Sequence, residues 1–215
     1  MKVKRVNKKT INNSEFVKNF FEKHRQKKIV IEAKNLKKNL SKKHILTDVN
    51  LKVYRGEIIG IGGAVGSGKT TLLYNLVGLI EADSGKVLYK NKKLQHDSLQ
   101  EIGFASSSSK LNGYASVLEN LKTFAGLYNI KNSEKKILSL CEQFSLLPLL
   151  KTKVYNLSGG ENCRLNLCKA FLNDPQLILL DEITAHLDHY SKLLVMDFLK
   201  EQKTKGKSII FVGHD

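Results

Sequence analysis

Cysteine is scarce in this chain, acidic side chains are outnumbered, and no long apolar run occurs. The three cysteines, Cys141, Cys163 and Cys168, in 215 residues show neither even pairing nor metal-ligand spacing, which excludes a disulfide-stapled secreted scaffold and a cysteine-built metal site. Two of them fall in a helical pattern where small apolar residues belong, so the thiols read as reduced core residues of a cytosolic protein. No uninterrupted apolar stretch approaches the ~20 residues that span a bilayer. The basic, asparagine-containing N-terminus also lacks the apolar middle of a signal peptide. Membrane contact is therefore expected through partners or the surface. No internal repeat is visible, and only Ser106-Ser107-Ser108-Ser109 is of low complexity.

The shortage of acid leaves a formal charge of +16, a value that by itself suggests nucleic acid or an anionic membrane. Its distribution argues otherwise. Residues 1–43 carry a balance of +12, and the remainder only +4. Lysines outnumber arginines 32 to 4, whereas planar phosphate recognition recruits arginine. The excess reads as compositional bias, and no specific nucleic-acid partner is expected. With 41% hydrophobic residues, the chain is long enough to bury one core without outside staples.

What is present is more specific. Glu57-Ile58-Ile59-Gly60-Ile61 reads as a buried strand, and Leu72, Leu76 and Ile80 recur at helical spacing after it. Between them, Gly63 to Thr70 fit G-x-x-x-x-G-K-[ST], with Gly63, Gly66, Ser67, Gly68, Lys69, Thr70 and Thr71 as nucleotide-binding candidates. Small residues at a strand-to-helix turn let successive backbone N–H groups converge on phosphate at the positive end of a helix. In that motif the lysine reaches the β/γ-phosphates and the threonine hydroxyl reaches Mg2+.

Four further strings follow in order. Leu157-Ser158-Gly159-Gly160-Glu161 opens a helical pattern, and Ser158 with Glu161 has capping-box spacing. Leu177-Ile178-Leu179-Leu180 is a continuous apolar run ending in Asp181-Glu182, as in a buried parallel strand delivering two carboxylates at its carboxyl edge. Ala185-His186-Leu187-Asp188 comes next, and Ser208-Ile209-Ile210-Phe211-Val212 ends in Gly213-His214-Asp215.

Taken together and in this order, the strings resemble the ATP-binding cassette (ABC) family over roughly residues 29–215. The phosphate loop lies at 63–70, the signature at 157–161, Walker B at 177–182, the D-loop at 185–188 and the switch histidine at 214. The resemblance implies an α/β fold: a phosphate-loop NTPase parallel-sheet core, a small antiparallel β layer and an inserted helical subdomain at about 110–158. It implies ATP and Mg2+ as ligands, with Thr70 and Asp181 at the metal, Glu182 and His214 as catalytic residues, and Asp188 linking two sites. It further implies head-to-tail pairing with a second cassette, a homodimer or a paralogue, in which Leu157 to Glu161 act in trans. Integral-membrane transporter subunits would be the other partners, with the chain peripheral at the cytoplasmic face of a membrane. Val117 to Leu121 and Phe124 to Tyr128 resemble exporter cassettes, so an ATP-hydrolysing subunit of an exporter is expected. A ribosome-associated cassette factor and a non-hydrolysing regulatory cassette are the alternatives.

Departures from the family pattern are also legible. Ser107 stands at the Q-loop position, where glutamine or glutamate is usual. Leu40 falls where an aromatic residue normally stacks on adenine, Ile183 replaces a usual proline, and Ala64-Val65 stand where proline and asparagine are frequent. The chain stops just after His214, whereas cassettes usually continue, so the C-terminal end reads as truncated. Residues 1–28 read as a basic extension. There Ser14 caps a short helix bearing Phe16, Val17, Phe20 and Phe21, packed on the protein's own surface or resting on an anionic membrane. Ser116 with Glu119 and Ser133 are further helix-cap candidates.

Overall fold

The computed structural model describes residues 2–5, 28–40, 43–107, 109–185 and 187–213. In chain order the elements are β1 (Lys2–Arg5), β2 (Ile29–Leu40), β3 (Lys43–Tyr54), β4 (Ile58–Gly62), α1 (Lys69–Leu76), β5 (Ser84–Tyr89), β6 (Lys92–Lys93) and β7 (Ile102–Ser106). They continue with α2 (Val117–Leu127), α3 (Ser133–Gln143), α4 (Gly159–Phe171), β8 (Leu177–Asp181), α5 (His189–Thr204) and β9 (Ser208–Val212). One sheet runs β1-β4-β9-β8-β7, and a second, antiparallel throughout, runs β3-β2-β5-β6. In the first sheet β4, β9, β8 and β7 are mutually parallel, while β1 pairs antiparallel with β4.

The apolar runs become parallel strands because both their faces are covered. Strand alternation divides β8 cleanly. Ile178 and Leu180 face a core shared with Leu165, Cys168 and Phe171 of α4 and with Val195 and Phe198 of α5. Leu177 and Leu179 face a second core, with Leu72 and Leu76 of α1 and with Ile31, Leu36 and Val53 of the antiparallel sheet. Each such fully buried side chain contributes ~1.5–3 kcal/mol relative to exposure. Gly103 in β7 lets α4 come this close, since a Cβ there would lie 2.3 Å from the Ala170 carbonyl oxygen.

The inserted segment is helical as expected. α2 and α3 are followed by 3-10 turns at Leu147–Leu149 and Val154–Asn156, which lead directly into α4. Both predicted capping boxes form, at Ser116/Glu119 and Ser158/Glu161. Ser133 is a correction. It is the first residue of α3, and the cap position belongs to Asn132, held in the left-handed region at φ 50 without a side-chain cap bond. Asparagine tolerates that conformation better than serine does. Four residues of the basic extension, Lys2–Arg5, belong to the central sheet, with Lys2 opposite Gly62; the short helix read from Ser14 with Phe16, Val17, Phe20 and Phe21 lies outside the described residues.

Candidate functional site

Parallel register brings the separated motifs to one place. Ser106 lies opposite Asp181, Asp181 opposite Val212, and Ile61 opposite Val212. The carboxyl ends of β4, β7, β8 and β9 therefore form one edge, the position at which open α/β sheets bind ligands.

The loop from Gly63 to Gly68 leaves β4 and enters α1. Gly66 and Gly68 sit at φ 77 and φ 88, a region in which L side chains are strained. Gly68 is the N-cap of α1 and carries no side-chain cap, so the first-turn N–H groups have no intrahelical partner and point out of the helix end. Val65, where asparagine is frequent, is 86% exposed at the loop tip. Lys69 is buried, and its ammonium donates to the carbonyl oxygens of Gly63 (2.7 Å) and Ala64 (2.9 Å). The buried Ser67 hydroxyl has no hydrogen-bond partner among the described residues.

Asp181 ends β8 beside this loop. Its Oδ1 accepts from Thr70 Oγ1 at 3.1 Å and its Oδ2 from Ser106 Oγ at 3.4 Å. Burial raises its pKa, the neighbouring Glu182 adds to the rise, and the two hydroxyls and Lys69 oppose it. A hydroxyl and a single carboxylate at a phosphate-accepting loop suit Mg2+, which keeps several waters and takes few protein ligands. Together with the partnerless Ser67 hydroxyl and the folded-back lysine, this donor set fits a magnesium nucleotide.

Glu182 follows at φ 52, held by its N–H donating to Val212 O (2.9 Å) and its own carbonyl accepting from Ala185 N (3.1 Å). Ile183, in place of the usual proline, is 3% exposed and core-packed, and its carbonyl accepts from Cys163 Sγ. Ser107 donates its backbone N–H to the Asp181 carbonyl at 3.1 Å. Attention in the sequence falls on Ser107, yet the side chain that touches the Asp181 carboxylate is that of Ser106. Leu40 is 42% exposed at the end of β2. His214 and His186 lie outside the described residues.

The signature is not part of that edge. Ser158 caps α4: its Oγ accepts from Glu161 N at 3.3 Å, and Glu161 Oε2 accepts from Ser158 N at 2.8 Å and from Ser158 Oγ at 2.9 Å. Those hydrogen bonds place Glu161 below the usual carboxylate range. Leu157 packs on the helical core, while Ser158 and Gly159 are exposed and Gly160 half-buried, so the helix end faces outward. Asp188 has a local role that its spacing did not reveal. It caps α5, accepting from Ser191 N (2.7 Å) and Ser191 Oγ (3.1 Å), and Arg164 of α4 donates to the same hydroxyl at 2.8 Å. The D-loop and the signature helix are thereby tied together.

Comparison with known proteins agrees with this geometry. Residues 46–185 match the family described as ABC transporter. A Staphylococcus aureus (strain MRSA252) protein named as a hemin import ATP-binding protein, HrtA, is 38% identical over 194 residues, which is 85% of this chain and 87% of that one. Among solved structures, the ATP-binding cassette MJ0796, in a dimeric post-hydrolysis state with ADP and Pi, has a TM-score of 0.78 at 29% identity, covering 86% of this chain and 88% of that one. CbiO1 of Clostridium perfringens, part of the ABC transporter complex cbiONQ, has a TM-score of 0.72 at 28% identity, covering 87% and 79%. By the family match and the 38% identity over most of its length, the chain belongs to the ABC transporter family, as an ATP-hydrolysing cassette that binds ATP with Mg2+.

Proposed function

We propose that this cassette powers a membrane exporter by closing on a second cassette around ATP. Cassettes of the family work with a partner cassette and membrane subunits; the finer assignments are our reading of the residues. The observation that carries it is the 3.1 Å bond between Thr70 and Asp181, two side chains 111 residues apart that meet at the open end of the phosphate loop.

In this reading the N–H groups of Gly66 to Thr71 hold the phosphates, favoured by the positive end of α1. Lys69 exchanges its two carbonyl acceptors for β/γ-phosphate oxygens, a charge-assisted gain. Thr70 and Asp181 would hold Mg2+, which when bound would neutralise charge developing on the transferred phosphoryl group. Glu182 orients the attacking water and takes up its proton, with His214 contacting the γ-phosphate. Leu157 to Glu161 of one cassette present the end of α4 to the γ-phosphate bound by the other, and Asp188, linked to α4 through Ser191 and Arg164, conveys the state of one site to the next. Ser107 lacks the reach of a glutamine, so the contact that a Q-loop side chain makes towards the membrane subunits is not made by the residue at this position.

The decisive test is Glu182→Gln in the full chain. ATP with Mg2+ should convert it to a stable dimer on size-exclusion chromatography while phosphate release falls by about 10²-fold or more, the scale of a lost general base. A variant that stays monomeric at saturating ATP sinks the proposal. A second reading comes from the name of the relatives, hemin import. It differs in direction from the export reading drawn from residues 117–128. Hemin content of cells with and without the gene separates them, since loss of an exporter raises it and loss of an importer lowers it.

A further inference from the structure

A second polar cavity lies at the opposite edge of the central sheet, in the cleft between α3 and α5. It measures about 180 Å³. Asp174 and Lys207 stand just before β8 and β9, so the five-residue strands separate it by about 16 Å from the phosphate-loop edge.

Gln202, Lys136 and Lys207 are among the polar side chains that line it. Gln202 is only 4% exposed, lines the cavity, and makes no side-chain hydrogen bond among the described residues. Its amide atoms are not sealed from solvent, so they stay open to the cavity and can serve a group that enters it. Lys136, half-buried on α3, makes no ion pair among the described residues. Lys207 is 6% exposed, pairs with the exposed carboxylate of Asp174, and lies over the Phe171 ring at 5.7 Å. Lys205 is answered by Glu201 at 2.6 Å. Lys136 and Lys207 against Asp174 leave one uncompensated positive charge at the mouth, above an apolar floor of Phe171 and Phe198. Burial sets the Lys136 pKa below its ordinary value, with the pull of Asp174 opposing it and the Lys207 charge adding a smaller decrease.

We infer that this cleft is a binding site for a small free oxyanion, a carboxylate or phosphate group held by the Lys136 and Lys207 ammonium groups and the Gln202 amide. The Ser139 hydroxyl, which accepts from Gln143 Nε2 at 3.2 Å, keeps its own proton to donate. The site is distinct from the nucleotide site and does not depend on the function proposed above.

The test is an amide-resolved NMR titration of the full chain with inorganic phosphate and, separately, acetate, with the phosphate loop filled by excess ADP and Mg2+. Saturable shifts at residues 133–140 and 202–207 with either probe support the site, and the probe that saturates at lower concentration names the preferred group. Lys136→Met and Gln202→Leu should each weaken that binding by roughly tenfold, the loss of one hydrogen bond to a charged group, whereas Lys151→Met on the exposed surface should change it less than about twofold. Shifts at residues 62–71 on adding ADP report the nucleotide site independently. Unsaturable shifts, shifts spread over lysines generally, or binding unaltered in Lys136→Met would overturn the inference.

Discussion

Two glycines of the phosphate loop share a conformation but differ in their surroundings, and that difference can be measured. Gly66 and Gly68 lie at φ 77 and φ 88, where an L side chain costs ~1–2 kcal/mol. A Cβ on Gly66 meets nothing within 4 Å, whereas one on Gly68 would lie 2.9 Å from both Ile45 Cγ2 and the Ile45 carbonyl oxygen and 3.2 Å from Leu46 Cδ2. The carbonyl is a backbone atom of β3, at the irregularity between His44 and Leu46, so it can give way only with the strand and not by a side-chain rotation. Crowding of that kind adds ~1–3 kcal/mol. Gly66→Ala should therefore lose ~1–2 kcal/mol and Gly68→Ala ~2–5 kcal/mol, and at ~2–4 °C per kcal/mol for a chain of this size the second melts about 4–20 °C below wild type. Urea denaturation of the nucleotide-free full chain gives the numbers, with an unchanged m-value confirming that only stability moved. In Gly68→Ala the loop must also shift away from β3, so ATP affinity should fall further than in Gly66→Ala. Equal losses in the two variants would refute the claim that β3 sets the position of the phosphate loop.

Other consequences are open to measurement. Ser158→Ala removes the cap of α4 and should cost ~0.5–2 kcal/mol in denaturant, while ATP-dependent pairing weakens more than that loss explains; a variant with full pairing would separate the cap from the signature role. Ser106→Ala leaves Asp181 one hydroxyl partner of two. The Mg2+ concentration for half-maximal ATPase should rise about 3–10-fold, below the usual range for outer-shell losses because the bond is long, with little change at saturating metal; an unchanged Mg2+ dependence would remove Ser106 from the site. Burial pulls the Lys169 pKa down to about 8, against ~10.4 in an unfolded chain. Between those values the folded state holds fewer protons, so stability should rise as pH climbs from 8 towards 10. Lys169→Met should abolish that rise, and a wild-type profile flat over the interval, relative to the variant, would contradict the burial argument.

Much of the site was readable because its parts are local. A phosphate loop is defined by residues within one strand-to-helix turn, and a capping box by two residues three apart, so Gly63 to Thr70, Ser116/Glu119 and Ser158/Glu161 could be placed from spacing alone. The apolar runs of β4, β8 and β9 were equally plain, since strands covered on both faces must be continuously hydrophobic. At Ser133 the local signal misled, because serine and asparagine both suit helix starts and the left-handed turn at Asn132 decided between them.

The rest depended on strand order, which no periodicity records. That Lys2–Arg5 lie against β4, that Ser106 and not Ser107 touches the Asp181 carboxylate, and that Asp188 is tied through Ser191 to Arg164 all follow from register and helix packing between distant segments. The cavity lined by Lys136 and Gln202 is of the same kind, created only when α3 and α5 meet. The sequence by itself determined which chemistry this chain carries, because each motif's geometry is set by neighbours a few residues away. Only the tertiary structure decided which side chains complete that chemistry and where a second anion could sit, because hydrogen bonds and desolvation depend on atoms close in space, however far apart in the chain.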